Sequence, residues 1–247
     1  MPLHRLQFHV THDCPVSCRE CETKSGPWNG PFLDAPFMIE VIDEAWVLGC
    51  LSTVVFAGGE PLLKRYEIEQ VLLHAKKRGL RSRVVTNAYW AASPKGAFHT
   101  LFDLQQAGLS EVTLTCDDMH QELIPLDYIR NAFLAARELG IPVLIFMKSA
   151  HNSVITPEYL SVLLETNLHG SGEVGGDLLK EGEYLAYPDP AAWNAPRNGT
   201  QILMIVSPTK DARVCQGVKA LPVATLPLGN LGYQTLVDVL GLRQTAH

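Results

Sequence analysis

Residues 52–60 read Ser-Thr-Val-Val-Phe-Ala-Gly-Gly-Glu, an apolar run that stops at a pair of glycines. The β-branched and aromatic residues predict a strand buried on both faces, and the glycines end it. The segment over 64–78 carries apolar residues at helical spacing, and Gly79 stops it. A buried strand followed by an amphipathic helix is the repeating unit of a parallel α/β fold.

The same unit recurs along the whole chain. Strands are predicted over 6–10, 52–57, 81–86, 111–116, 142–148 and 202–206, and helices over 35–48, 64–78, 94–107, 126–139 and 157–165. The central strands are spaced by about 30 residues, the length of one βα unit. Six units are two fewer than a closed eight-stranded barrel needs. The predicted fold class is therefore α/β, an open partial TIM barrel of the (β/α)6 type.

The chain is predicted to have a core and a short extension. The core covers 1–206 and includes a Gly/Pro/Asn-rich stretch over 169–200, which is long for a connection. That stretch is either a loop covering the substrate or a passive insertion. Residues 207–247 are expected to form a C-terminal hairpin and a helix near 234–240 that pack on the core.

Composition excludes several classes of protein. With 47% hydrophobic and 19% charged residues among 247, the chain is neither disordered nor fibrous. A net charge of −6 argues against nucleic-acid binding, and no apolar run is long enough to span a membrane. The N-terminal residues lack the apolar centre of a signal peptide, which predicts a cytoplasmic protein. Disulfides among the six cysteines are not expected in that compartment.

The strongest chemical signal is a cysteine cluster directly after the first predicted strand. Cys14, Cys18 and Cys21 form a C-x3-C-x2-C motif. A structural zinc site is one interpretation, with His12 or His9 as a fourth ligand, although zinc sites usually draw their ligands from two separated pairs. Three thiolates on an iron–sulfur cluster are the other interpretation, and they leave one iron open.

Polar residues follow several predicted strands at their carboxyl ends. They occur at 58–60, 86–87, 115–118 and 148–149. Because the carboxyl ends of parallel strands meet at one edge of the sheet, these residues are expected to converge with the cysteine loop on one mouth. The chemistry of the protein is therefore predicted to take place there.

The cysteine motif and the sequence Gly58-Gly59-Glu60-Pro61 together resemble the radical S-adenosylmethionine (radical SAM) superfamily. The pair Thr86-Asn87 is similar to the third-strand Thr-Asn of many members. Thr115-Cys116-Asp117 resembles their fourth-strand Ser-x-Asp. Near the end of the chain, Leu228-Gly229-Asn230-Leu231 resembles the Gly-Asn-Ile/Leu tail of peptide-modifying members.

This resemblance implies a metal cofactor and a reaction type. Cys14, Cys18 and Cys21 would hold one [4Fe–4S] cluster, whose open iron would be chelated by the methionine end of SAM. One electron, supplied by a low-potential donor such as flavodoxin or ferredoxin, would cleave SAM to methionine and a 5′-deoxyadenosyl radical. That radical would abstract hydrogen from a peptide or small-metabolite substrate. Glu20 departs from the family, which usually has an aromatic residue beside the adenine.

The resemblance also implies a set of SAM-binding residues. The glycines of the Gly58-Gly59 pair would let backbone groups approach the ligand closely. Glu60 would accept a hydrogen bond from the methionine ammonium group. Asn87, Thr115 and Asp117 would serve the SAM carboxylate and the ribose hydroxyls.

The reaction itself stays open between two enzyme classes and one binding class. The first interpretation is modification of a peptide or small metabolite by crosslinking, epimerisation or a related rearrangement. Residues 207–217 favour it, because they resemble the hairpin before the auxiliary cluster of peptide maturases. A glycyl-radical activating enzyme is the second interpretation, and residues 117–120 resemble its Asp-x-x-His element. A zinc-stabilised binding module is the non-enzymatic alternative.

Three cysteines lie outside the motif, namely Cys50, Cys116 and Cys215. They are too dispersed for a second cluster, so a single cluster is predicted. Strand alternation points Cys116 toward the helices. Cys215 follows the sixth strand by a short hairpin and is expected to return to the mouth. It is interpreted either as a small buried residue or as a catalytic hydrogen-atom donor for an epimerisation.

Overall fold

A computed structural model describes residues 3–149, 152–169, 173–174, 180–187, 202–216 and 225–241. The elements follow one another along the chain as β1 (Leu3–Thr11), α1 (Ala35–Val47), β2 (Thr53–Gly58), a 3₁₀ turn (Pro61–Lys64), α2 (Arg65–Lys77), β3 (Arg81–Thr86), α3 (Pro94–Ala107), β4 (Glu111–Thr115), α4 (Asp118–Gln121), α5 (Leu126–Glu138), β5 (Val143–Ser149), α6 (Pro157–Leu163), β6 (Glu173–Val174), β7 (Lys180–Tyr187), β8 (Ile202–Val206), β9 (Asp211–Gln216), β10 (Thr225–Asn230) and α7 (Leu236–Val239). Within these ranges, no helix combines the length and the apolar character needed to cross a membrane.

The strands form one ten-stranded sheet in the order β10-β9-β8-β1-β2-β3-β4-β5-β7-β6. Strands β8, β1, β2, β3, β4 and β5 lie side by side in that order and run parallel to one another, which confirms the predicted α/β class and its six parallel strands. The last of the six, β8, pairs with β1 and not with β5. Strand β7 runs antiparallel along β5 and occupies the edge where a sixth consecutive strand would lie.

The stretch over 169–200 differs from its prediction as a loop. Strands β6 and β7 both lie within it, and β7 pairs with β5 from Val143 to Ser149. The remaining residues of that stretch, apart from His169, lie outside the described residues. The sequence of β7 begins Lys-Glu-Gly-Glu and therefore lacks the continuous apolar run by which the other strands were predicted. An antiparallel strand near a sheet edge does not need such a run.

The two faces of the central strands have different chemistry. On β1, the fully buried Leu6, Phe8 and Val10 pack into the main apolar core, together with the inner faces of α1, α2, α3 and α5. The alternate residues Arg5 and His9 face the other way and line a cavity. Strand alternation therefore turns one face of β1 to the apolar core and its polar face to the cavity.

The C-terminal elements continue the same sheet. Strand β9 pairs antiparallel with both β8 and β10. Helix α7 packs on α1, where the backbone N–H of Leu236 donates a hydrogen bond to Glu44 Oε2. The division of the chain at 206/207 remains a prediction, and it falls at the turn between two paired strands.

Candidate functional site

One cavity of about 210 Å³ opens at the carboxyl ends of the parallel strands. All three motif cysteines line it, as do four other residues that the sequence singled out. The lining residues from the predicted set are Cys14, Cys18, Cys21, Gly58, Gly59, Asn87 and Thr115. The predicted convergence of strand ends and cysteine loop is therefore present in the structure.

The cysteine loop is fastened at its root by hydrogen bonds to its own chain. The backbone N–H of Cys14 donates to the carbonyl of Gly26 at 2.9 Å, and the backbone N–H of Gly26 donates to the carbonyl of His12. The Asp13 carboxylate accepts a hydrogen bond of 2.6 Å from the backbone N–H of Gly30. The loop therefore closes on itself and projects its thiols from a fixed base.

The three thiols have different acidities because their surroundings differ. Burial raises the pKa of Cys14 to about 12 and that of Cys18 to about 11. Burial also opposes ionisation of Cys21, but hydrogen bonds from Thr23 and Ser25 outweigh it and lower the pKa of that thiol. Since metal ligands are thiolates, metal binding would release protons from Cys14 and Cys18 at neutral pH.

The three thiols border a common space that a cluster could occupy. In the described part of the chain, no three His, Cys, Asp or Glu side chains are placed to hold one metal ion. A [4Fe–4S] cluster binds its cysteines through separate irons, so its ligands need only border a common space. Cys14, Cys18 and Cys21 meet that requirement because all three line the same cavity.

The Gly-Gly pair is required by the cysteine loop. A β-carbon on Gly58 would collide with the carbonyl oxygen of Thr11, and one on Gly59 would collide with that of Asp13. The backbone N–H of Gly59 donates to Thr11, and that of Glu60 donates to Asp13, both at 2.8 Å. From the sequence, these glycines are expected to allow close approach of a ligand. In the structure their closest neighbour is the loop that carries the cysteines.

Glu60 lies beneath the cavity and not on its wall. Its side chain is fully buried and accepts hydrogen bonds from Leu62 N, Thr86 Oγ1 and Asn87 N, at 3.0, 2.9 and 2.9 Å. Burial raises the pKa of Glu60 to about 7, and these hydrogen bonds only partly oppose the shift. Through these hydrogen bonds Glu60 joins the ends of β2 and β3, and its contact with the methionine ammonium group stays a prediction.

Asp117 also stands behind the cavity wall. It is fully buried and accepts hydrogen bonds from the backbone N–H groups of His120 and Lys148. The same carboxylate pairs with His120 Nδ1 at 2.7 Å. Burial opposes ionisation of Asp117, but the hydrogen bonds and charge of His120 outweigh it and lower the pKa. His120 lines the cavity, so the Asp117 carboxylate is linked to the cavity wall through that imidazole.

Several polar residues deeper in the cavity were missed by the sequence analysis. Arg5, Gln7 and Arg83 line its inner part, and Arg83 Nε donates to the buried Glu111 at 2.6 Å. Burial lowers the pKa of His9, which also lines the cavity, to about 4. A signal was present in the sequence, because Arg5 and Gln7 alternate with apolar residues along β1.

The cysteines outside the motif do not gather at the site. Cys116 is fully buried in the apolar core, as strand alternation predicted. Cys215 lies on β9, opposite Leu203, which is itself paired with Arg5 near the start of β1. The backbone of Cys215 is therefore near the amino ends of the parallel strands. Its expected return to the mouth is wrong, because β9 runs away from the mouth after the turn.

A family model described as the radical SAM superfamily matches residues 8–159, more than half of the chain. The chain belongs to the radical SAM superfamily. The matched range contains the cysteine loop, the Gly-Gly pair and the strand ends that surround the cavity. The recognition made from the cysteine motif and Gly-Gly-Glu-Pro is thereby confirmed.

Relatives of this chain include proteins named PqqA peptide cyclase. One from Xanthomonas oryzae pv. oryzae is 27% identical over 173 residues, covering 64% of this chain and 43% of the relative. One from Gluconobacter oxydans is 32% identical over 124 residues, covering 48% of this chain and 31% of the relative. The chain thus spans less than half the length of these relatives. A crystal structure of BtrN in an open conformation is also similar, with a TM-score of 0.49, 14% identity and coverage of 96% and 79% of the two chains.

Proposed function

We propose that this enzyme holds one [4Fe–4S] cluster through Cys14, Cys18 and Cys21 and binds SAM in the adjoining cavity. The observation that carries the proposal is that the three thiols line the same cavity as the carboxyl ends of the parallel strands. When bound, the cluster supplies the electron that cleaves SAM and yields the 5′-deoxyadenosyl radical, which abstracts hydrogen from the substrate. A low-potential protein such as flavodoxin or ferredoxin is the proposed electron donor.

The residues of this chain supply orientation and exclusion of water. Asn87, Thr115 and the backbone of the Gly58-Gly59 pair border the space next to the cysteines and would hold SAM. Asp117 would contribute by fixing the ring of His120 at the cavity wall. Glu60 would contribute by keeping the ends of β2 and β3 together.

We propose a peptide as the substrate and crosslinking as the reaction. The support is the name of the relatives, which are peptide cyclases. A crosslink removes two hydrogen atoms from the peptide. One hydrogen goes to the deoxyadenosyl radical, and the other leaves as a proton while its electron passes to a redox partner. Epimerisation, another rearrangement, and activation of a glycyl-radical enzyme are the competing reactions.

The cluster is tested by reconstituting the protein without oxygen and measuring iron and sulfide. Wild type should carry about four irons per chain. Replacing Cys14, Cys18 or Cys21 by Ala should abolish iron binding, whereas Cys50→Ala, which changes a half-buried cysteine away from the cavity, should not. Stoichiometric zinc with no iron absorbance would instead establish the zinc-stabilised binding module.

The reaction is tested with reduced enzyme, SAM and short peptides encoded near its gene. Release of 5′-deoxyadenosine would establish SAM cleavage. Loss of two hydrogen atoms from the peptide would establish crosslinking, whereas uptake of one solvent deuterium with no other mass change would establish epimerisation. Peptides that stay unchanged, together with a radical formed on an added glycyl-radical enzyme, would overturn the peptide proposal.

A further inference from the structure

Asn87 is held in one orientation by hydrogen bonds at both ends of its amide. Its Nδ2 donates to Cys14 Sγ at 3.4 Å, and its Oδ1 accepts from the backbone N–H of Tyr89 at 3.0 Å. The backbone N–H of Asn87 donates to Glu60 Oε2 at 2.9 Å. The side chain is almost fully buried, so water does not compete effectively for these bonds.

The hydrogen bond from Asn87 differs in origin from those made to Cys21. Cys21 Sγ accepts a hydrogen bond from the backbone N–H of Ser25 and lies 3.4 Å from Thr23 Oγ1, and both partners belong to the cysteine loop itself. Asn87 lies 73 residues from Cys14 along the chain, directly after β3. Its donor is therefore positioned by the sheet and by the buried Glu60, independently of the loop.

We propose that Asn87 is a positioning residue that sets the reduction potential of the cluster through its N–H···S bond to Cys14. The inference rests on the cluster assigned above and gives Asn87 a role toward the metal beyond the SAM contact expected from the sequence. Hydrogen bonds to cluster sulfurs are one of the determinants of the potential. Reduction adds negative charge to the cluster, so a donor to a ligand sulfur stabilises the reduced form more than the oxidised form.

An amide suits this role because it donates without carrying charge. A lysine at this position would pair with the thiolates as a point charge, and an aspartate would repel them. The neutral donor raises the potential moderately and leaves the net charge of the cavity unchanged. Replacing Asn87 should therefore shift the potential in a direction that depends on the donor and on the charge of the substituent.

The test is the midpoint potential of the reconstituted enzyme, measured by titration with EPR detection of the reduced cluster. Asn87→Leu has similar size and no donor, and we expect it to keep its iron and titrate at a more negative potential than wild type. Asn131→Leu is the matched control, because Asn131 Nδ2 donates to the Ala91 carbonyl instead of a cysteine. Its potential should equal that of wild type.

A second variant keeps the inference falsifiable if Asn87→Leu does not hold a cluster. Asn87→Asp preserves the shape of the side chain and replaces the donor by a negative charge, so its potential should fall further. An iron-loaded Asn87 variant with the wild-type potential and weaker SAM binding would overturn the inference and leave a role in SAM binding alone. Wild-type protein that takes up no iron would overturn the proposed function itself, which is a different result.

Discussion

Gly59 and Asp13 are packed backbone against backbone, so that a β-carbon on Gly59 would overlap the carbonyl oxygen of Asp13. The contact joins the end of β2 to the residue that precedes the first motif cysteine. Two neighbouring hydrogen bonds, from Gly59 N to Thr11 O and from Glu60 N to Asp13 O, tie the same two segments together. The position of the cysteine loop therefore depends on the absence of a side chain at Gly59.

Gly59→Ala should displace the cysteine loop and lower the amount of iron bound after reconstitution. The reason is steric, since the added methyl group meets backbone atoms that cannot rotate away. Gly30→Ala is the matched control in the same loop region, because its β-carbon would meet only Asp13 Oδ1 at 3.6 Å. Iron and sulfide analysis of both variants checks the prediction, and wild-type iron content in Gly59→Ala would contradict it.

Glu60 should make the folded protein less stable as the pH rises. Its pKa is about 7 in the folded state against 4.5 for the unfolded reference, so the folded state binds the extra proton between those values. The free energy of unfolding contributed by Glu60 therefore falls as the pH rises from about 4.5 to about 7. Urea unfolding of metal-free wild type and Glu60→Gln across this range isolates the effect. The free energy of unfolding of wild type relative to Glu60→Gln should fall across this range. If it stays constant or rises with pH, the pKa of Glu60 is not raised in the folded protein.

Ala88→Gly should stabilise the protein. Ala88 is fully buried directly after Asn87 and has a φ of +62°, a left-handed conformation that costs a residue with a β-carbon roughly 1–2 kcal/mol. Part of that gain is offset by the greater freedom of glycine in the unfolded chain and by the loss of a buried methyl group, so we expect a net gain of at most about 0.5 kcal/mol. Gly79→Ala, at a φ of +70° with no atom within 4 Å of the added carbon, should change stability in the opposite direction. Thermal unfolding of both variants and of wild type measures whether each substitution raises or lowers the stability.

Cys215→Ala should retain product formation. The pairing of Cys215 with Leu203, and of Leu203 with Arg5, puts its backbone near the amino ends of the parallel strands. The proposed reaction takes place at the opposite ends, where the three motif cysteines lie. Mass analysis of the peptide product measures the outcome. A variant that consumes SAM but accumulates a substrate radical would instead establish Cys215 as the hydrogen-atom donor.

Local signals in the sequence were sufficient for most of the parallel core. Helix α3 was predicted over 94–107 and lies at Pro94–Ala107, because Ser93 caps its first turn and Gly108 adopts a positive φ at its end. The cysteine motif and the glycine pair were sufficient to recognise the superfamily. These features depend on short stretches of chain, whose chemistry can be read directly.

The remaining features depend on long-range pairing and on side-chain direction. Nothing local in the sequence tells that β7 runs along β5, or that β8 returns to β1. The strand-end position of Glu60 agrees with the prediction, but its carboxylate bonds to Thr86 and Asn87 and does not itself line the cavity. Asp117 is similar, since its orientation follows from hydrogen bonds to His120 and Lys148. The position of a residue along a strand is thus easier to predict than the hydrogen-bond partners of its buried side chain.

The pairing of β1 with β8 has a consequence for biosynthesis. Strand β1 is made first, and its partner on one side, Ile202–Val206, is made about 200 residues later. Until then the backbone of β1 exposes an open row of N–H and C=O groups on that side, which is a template for pairing with another chain. A nascent chain interrupted before residue 202 keeps this open edge, and contacts of such large sequence separation also slow folding. The pairing of β1 with β8 therefore has to wait until residues 202–206 have left the ribosome.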